Sequence, residues 1–229
     1  MEPINSLRKY ISGFDTFVRH RCLASMAMEF HPRVILDVGG EGMLRLFLPN
    51  IPIVTANIKE SDIIYLGNRL PLIDSSFDIV VSLDTIEHLH KNSRITFLSE
   101  LYRVAKKAVI LCAPFGTPEH LAYEKEILNS GILDGDSLTY LTEHLEFGLP
   151  FPNEISEMVN LFSGKVFYQG DFRDVRPSTK RRTHYDLLLQ IFKNILIDTF
   201  WQNGEYLKSD FTQYTNRFFL IASKTSDER

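Results

Sequence analysis

A chain of 229 residues, 44% hydrophobic and 24% charged, has the size and balance of one soluble globular domain with a sizeable core, which excludes a disordered chain. Its formal net charge of −4 lacks the basic excess that marks general nucleic-acid binders, so no nucleic-acid partner is expected. The two cysteines, Cys22 and Cys112, stand far apart and without metal-ligand spacing, which gives no support to a disulfide framework or a zinc site and fits a reducing compartment.

The opening Met1-Glu-Pro-Ile-Asn-Ser-Leu-Arg-Lys9 lacks the basic start and apolar run of a signal peptide. No apolar stretch approaches the roughly 18 residues of a membrane span, so a cytoplasmic protein is expected. Over residues 6–29, Leu7, Tyr10, Ile11, Phe14, Phe17 and Val18 recur near helical spacing. They predict a helical preface within residues 1–30 that packs on a sheet or serves as a lid. Strands are predicted at 33–38, 52–57, 77–82 and 107–113, separated by helical or loop segments, the alternation of a parallel, doubly wound α/β sheet. The first of them, Val34-Ile-Leu-Asp-Val38, runs into Gly39-Gly-Glu-Gly42, where glycines let the backbone turn tightly and approach a ligand. Asp37, just ahead of that turn, suits a positively charged ligand. A pyrophosphate, which normally sits on glycine amides at a helix N-terminus, would be repelled. The same run is also compatible with a plain strand-to-helix connection. Residues 119–162 and 173–210 read as helical insertions, and Lys165-Val-Phe-Tyr-Gln169 and Arg217-Phe-Phe-Leu-Ile-Ala222 as a closing hairpin. No repeat or linker divides the chain, so residues 1–229 are taken as a single domain.

The glycine turn is followed by Ile51-Pro-Ile-Val-Thr-Ala-Asn-Ile58 and by Leu70-Pro-Leu-Ile-Asp-Ser-Ser-Phe-Asp-Ile-Val-Val-Ser-Leu-Asp-Thr-Ile-Glu-His88. This order closely resembles the class I S-adenosylmethionine-dependent methyltransferases, in particular the group with the pattern LPF-x-D-x-SFD-x-VVS-x-D-x-x-EH. The likeness covers about residues 34–115. Two further segments, Ala113-Pro-Phe-Gly-Thr-Pro118 and Glu143-His-Leu-Glu-Phe-Gly-Leu-Pro150, look like a subgroup associated with cell-surface polysaccharide genes. The resemblance implies a Rossmann-like, seven-stranded sheet, mostly parallel with an antiparallel C-terminal hairpin. It also implies S-adenosylmethionine as cofactor and S-adenosylhomocysteine as product. On this reading Gly39, Gly40, Glu41 and Gly42 lie against the cofactor and Asp37 reaches its ammonium. Asn57, with Ile58 beside it, stands where the family usually has an acid gripping the ribose. Asn68, Arg69 and Leu70 form the adenine-facing loop, and Ser82, Leu83 and Asp84 line the cleft from the next strand. The chain departs from the family's D-x-G-x-G-x-G at two positions, Glu41 and Met43, which could narrow the pocket. A non-catalytic cofactor-binding or regulatory module is therefore the alternative, with an NAD-dependent oxidoreductase third.

Asp84-x-x-Glu87-His88 concentrates two carboxylates and an imidazole after the strand ending at Ser82. If a helix starts here, Asp84 and Glu87 lie near one face. His88, oriented by Glu87, is a candidate general base for an oxygen acceptor. A Mg2+ ion held by Asp84, Glu87 and His88 is a second reading, since the spacing is similar to the E-x-x-E-H metal motif of ubiquinone-pathway O-methyltransferases. Helix capping with a structural Glu-His pair is a third. Toward the acceptor, His120 is a further catalytic candidate, with Tyr123, His144 and Glu146 near it in the insertion. The acceptor is expected to be a small molecule or a glycan precursor. Arg173, Arg176, Lys180, Arg181 and Arg182 form a local basic segment. In the helix that follows, Asp186, Gln190, Lys193, Asn194 and Asp198 fall on one stripe and leave a broad apolar face. That face is expected to pack on the sheet or on a second subunit, as a homodimer; the alternative is a peripheral membrane contact through residues 173–201.

Overall fold

The chain is described from a computed structural model over residues 8–65, 69–175 and 183–225. Its strands are β1 (Ile35–Val38), β2 (Ile53–Asn57), β3 (Ile63–Ile64), β4 (Phe77–Leu83), β5 (Ala105–Pro114), β6 (Lys165–Asp171) and β7 (Thr215–Ser223). They form one seven-stranded sheet in the order β3-β2-β1-β4-β5-β7-β6. The β1–β2, β1–β4, β2–β3 and β4–β5 pairs are parallel, whereas β7 runs antiparallel to both β5 and β6. This is the Rossmann-like methyltransferase fold expected from the sequence. The two-residue β3 is too short for any periodicity to reveal it.

Every residue of β1 and β4 is buried, as parallel strands covered on both faces require. Alternate side chains divide between two cores. Leu36, Val80 and Val109 join one, while Ile35, Ile79 and Ile110 join the other. The first core is covered by α2 (Lys91–Val104), through Phe97, Leu98 and Leu101, and by α5 (Pro152–Leu161), through Ile155 and Met158. The second is covered by α1 (Phe14–Met28), through Phe17, Val18, Leu23 and Met26. The helical preface thus packs on the sheet.

Between β5 and β6 lie α3 (Pro118–Asn129), α4 (Gly135–Phe147) and α5, the helical insertion expected over 119–162. Between β6 and β7 lie α6 (His184–Thr199) and the short α7 (Asn203–Tyr206). Of the placements expected for the apolar face of α6, packing on the sheet is not the one found. Its polar stripe faces the protein, where Asn194 donates to the carbonyls of Tyr10 and Ser12 at 3.0 Å each. Asp198 binds Lys9 at 2.8 Å and Arg21 at 2.7 Å. Its apolar face points outward instead, leaving Tyr185, Leu188 and Phe192 at least 60% exposed. The cause is the preface, whose open carbonyls and cations offer α6 polar partners where an apolar floor was expected. Of the basic segment, Arg176, Lys180, Arg181 and Arg182 lie outside the described residues. Among the described residues, no helix is long and apolar enough to cross a membrane.

Candidate active site at the carboxyl ends of the strands

The turn after β1 is shaped around Asp37. Gly39 has φ +83°, and a Cβ there would come within 2.1 Å of Thr85 Oγ1. At Gly40 a Cβ would lie 2.1 Å from Asp37 Oδ2, so glycine at this position makes room for the carboxylate. Asp37 is 4% exposed, and burial raises its pKa to about 7 against a small opposing pull from Arg45. Among the described residues, none hydrogen-bonds to this carboxylate. A nearly buried acid without a partner is costly unless a ligand supplies one. Replacement of Gly40 by alanine is expected to force Asp37 aside and to lower stability by about 1–3 kcal/mol, read by chemical denaturation.

Beside the turn lies a cavity of about 220 Å³, lined among others by Gly39, Asn57, Ile58, Tyr65, Thr85 and Phe97. Asn57 is held in place by its own loop: Nδ2 donates to Gly39 O at 3.0 Å and Oδ1 accepts from Ile58 N at 2.7 Å. Glu41 is exposed and Met43 packs against the second core. Neither lines the cavity, so the two departures from the glycine pattern do not narrow it. Arg69 is exposed, and Leu70 is buried in the first core, its amide donating to Glu100 Oε1 at 2.7 Å. Asn68 lies outside the described residues. The lining residues Tyr65, Leu89, Ser93, Thr96 and Phe97 were missed from the sequence, because Ser93, Thr96 and Phe97 of α2, and Tyr65 and Leu89 from loops, reach the site through tertiary packing rather than through a motif.

The helix expected at Asp84 is replaced by a three-residue 3-10 turn, Ile86–His88. Asp84 stands before it with φ +50°. Its Oδ1 accepts from Arg217 at 2.7 Å and its Oδ2 lies 3.1 Å from Arg19. Asp15 completes the network, binding Arg217 at 3.0 Å and Arg19 at 3.1 Å. Burial works against the charge on Asp84, but the two guanidinium groups hold its pKa below the ordinary carboxylate range. Ser82 and Leu83 are buried at the end of β4. None of Asp15, Arg19 and Arg217 was singled out in the sequence: Asp15 and Arg19 form an ordinary i,i+4 pair, and their link to Asp84 and Arg217 is made only across the fold.

Glu87 is 1% exposed, and burial, helped by the charge of Asp84, raises its pKa. Burial thus pushes Glu87 toward its neutral form, while the two guanidinium groups favour the charge on Asp84. His88 is half-buried, with Nδ1 2.7 Å from Glu143 Oε2. His144 comes from α4 to join this pair, its ring centroid 5.0 Å from that of His88. Burial lowers the pKa of His144, but a 2.9 Å hydrogen bond to Glu124 and the charges of Glu124, Glu87 and Asp84 raise it more, for a net upward shift. His120 is 5% exposed, with Nδ1 2.8 Å from Phe115 O and its ring stacked 4.4 Å from Phe172. The structure therefore gathers Glu87, His88 and His144 and leaves His120 walled in nearby. Tyr123 packs on Phe172, and Glu146 is exposed.

Residues 48–113 match the family described as a methyltransferase domain. Among solved structures, the chain is similar to the plantazolicin methyltransferase BpumL in complex with a pentazolic desmethylPZN analog and SAH, at 11% identity and a TM-score of 0.53, over 97% of this chain and 96% of that one. It is also similar to a SAM-dependent methyltransferase from Thermotoga maritima, described as a possible histamine N-methyltransferase. There the identity is 16% and the TM-score 0.51, over 90% of this chain and 89% of the other. At these identities the likeness is one of fold. No curated protein sequence matches.

Proposed function

We propose that the chain is a cytoplasmic S-adenosylmethionine-dependent methyltransferase that transfers its methyl group to an oxygen of a small molecule or a sugar-containing precursor. The observation that carries this reading is Asp37, a carboxylate buried under the glycine turn without a hydrogen-bond partner among the described residues, beside a cavity at the strand ends. S-adenosylmethionine brings a sulfonium and an ammonium, either of which would give that acid the opposite charge it lacks. A dinucleotide pyrophosphate would meet it with like charge. The match of residues 48–113 to a methyltransferase domain supports the same reading. At about 220 Å³ the cavity is smaller than the roughly 300–1,000 Å³ of sites that enclose a drug-sized ligand. It would take part of the cofactor, the rest lying over the turn toward Asp37. Titration of the purified chain with S-adenosylmethionine and S-adenosylhomocysteine by calorimetry tests this, and absence of binding to both overturns it.

Methyl transfer to a hydroxyl needs an aligned acceptor and a group to take its proton. His88 fills the second role in this proposal, with Glu143 beside it. Replacing His88 with alanine is expected to lower turnover at saturating cofactor by about 10²–10⁴-fold; unchanged turnover removes it from that role. The second reading, a cofactor-binding module without catalysis, draws support from Asn57, whose amide is engaged by Gly39 and Ile58 in place of a free ribose-gripping acid. Cofactor binding with no methyl transfer to any oxygen acceptor would favour it.

The outward face of α6 bears on how an acceptor is reached. Tyr185, Leu188 and Phe192 are exposed along one side of the helix, with Phe200 exposed just past its end, and the helix follows Arg176, Lys180, Arg181 and Arg182 in sequence. Apolar side chains beside a cationic segment suit the interface of an anionic membrane, where a lipid-carried precursor would be found. The chain is expected to co-sediment with vesicles of phosphatidylglycerol and phosphatidylcholine, and a Leu188→Glu, Phe192→Glu variant to lose at least about tenfold of that binding. Failure to sediment, with elution as a dimer that the same variant separates, would assign the face to a second copy instead.

A further inference from the structure

The turn after β4 and helix α4 bring together a donor set that neither segment has alone. Glu87, His88 and His144 each offer one ligand atom, and these atoms lie within 4.8 Å of one another. Glu87 Oε2 and His144 Nε2 are buried and have no hydrogen-bond partner, while His88 Nδ1 lies 2.7 Å from the Glu143 carboxylate. Burying two unpartnered polar atoms beside a third potential ligand is unfavourable unless something is held there.

The second shell is already in place. His144 Nδ1 lies 2.9 Å from Glu124 Oε1, and Glu124 is itself 5% exposed. A carboxylate that accepts a hydrogen bond from the Nδ1–H of a histidine fixes the tautomer with the Nε2 lone pair free, the arrangement usual for metal-bound imidazoles. Asp84, the remaining acid of the D-x-x-E-H run, is held by Arg217 and Arg19 and does not join. The donor set therefore differs from the Asp84, Glu87, His88 triad expected from the sequence, with a second imidazole in place of one carboxylate.

We propose that Glu87, His88 and His144 form a binding site for a divalent transition-metal ion. Two imidazoles and one carboxylate suit Zn2+, Co2+ or Mn2+ better than the hard, oxygen-seeking Mg2+. Zinc bound at about 2.0–2.1 Å sets its ligand atoms about 3.3 Å apart in a tetrahedron, so the three donors must draw together by small side-chain rotations. With three protein ligands, at least one coordination position stays open. The turn Ile86–His88 lies between Thr85 and Leu89, both of which line the cavity, so the ion would stand beside the cavity wall. An acceptor oxygen in the open position would be held and made more acidic, and with the ion bound this would stand in place of His88 acting as the base, because a coordinated imidazole cannot also take the acceptor's proton. That last role rests on the methyl-transfer reading; the metal site itself does not.

The test uses the full chain without an oligohistidine tag and without cofactor, so its outcome is independent of S-adenosylmethionine binding. Titration with Co2+ is expected to give one equivalent of bound ion, with visible absorption bands that Zn2+ displaces and excess Mg2+ does not. His144→Ala is expected to lose the bands. Glu124→Gln, which keeps the first ligands, should weaken Co2+ binding about 10–100-fold. Circular dichroism separates loss of the site from loss of the fold, and Glu87→Gln provides a second ligand variant if the alanine variant unfolds. Absence of stoichiometric Co2+ binding, full displacement by Mg2+, or bands that persist in both ligand variants overturns the proposal.

Discussion

Replacement of Asp37 by asparagine is expected to weaken S-adenosylmethionine binding by about 10–150-fold, the equivalent of roughly 1.5–3 kcal/mol for a hydrogen bond to a charged group. Asparagine keeps the shape of the side chain under Gly40 but removes the charge. In the parent protein burial holds the Asp37 pKa at about 7. Below that pH a cationic ligand must displace a proton to bind, so affinity is expected to climb as pH rises toward 7. If the ammonium is the group recognised, S-adenosylhomocysteine, which keeps the amine but lacks the sulfonium, shows the same rise; if the sulfonium is, it does not. Calorimetric titrations from pH 5.5 to 8.5 check this, and a profile that is flat, or the same in the asparagine variant, sinks the assignment. Stability should move the other way. Because the folded pKa is raised, ionised Asp37 destabilises the native state once pH exceeds the ordinary carboxylate range. The asparagine variant is therefore expected to melt above the parent at pH 8, and the gap to close in acid.

The largest stability effect is expected at Arg217. Its side chain is 5% exposed and binds both Asp84 and Asp15. Arg217→Met would leave those two acids sharing Arg19 alone, at an expected cost of about 3–5 kcal/mol, the range for breaking a buried ion pair from one side. Denaturant titration at neutral pH measures it. The pH dependence separates electrostatics from packing. The Asp84 pKa is depressed in the folded state, so its contribution is present above the unfolded carboxylate value and lost as pH falls through the folded one. The difference between parent and variant should shrink in acid. A variant that also carries Asp15→Asn and Asp84→Asn should recover much of the loss, since it leaves no unpaired acid. A deficit that is constant with pH and unrelieved by those changes would assign the role of Arg217 to shape rather than charge.

Much of the sheet was legible because strands buried on both faces leave continuous apolar runs. Val34-Ile-Leu and Ile79-Val-Val are visible without any partner. Asp37 and the glycines could be read for the same reason, as one polar interruption at the end of such a run. Arg217 could not. It lies within a strand of aromatic and aliphatic residues, and its meaning depends on Asp84, 133 positions earlier. His144 was noticed as a residue but not as a partner of Glu87 and His88, because α4 packs on the Ile86–His88 turn through tertiary structure. The sequence of α6 divided polar from apolar residues correctly. Which side faced inward was set by Tyr10, Ser12, Lys9 and Arg21, residues no helical pattern could supply.

The place of β7 sets a timetable. It comes after every other strand in the chain, yet it sits between β5 and β6. Until Thr215–Ser223 has left the ribosome, β6 has no strand to pair with beyond a single bridge to Lys208, and β5 presents an open edge of apolar residues. Asp84 and Asp15 meanwhile have Arg19 but lack Arg217, the second of the two arginines that neutralise them. The nascent chain can complete the β3-β2-β1-β4-β5 half of the sheet early, but its polar centre stays electrostatically unfinished until β7 is inserted. Synthesis stalled shortly before that strand would leave a half-built, aggregation-prone intermediate rather than a slightly weakened protein.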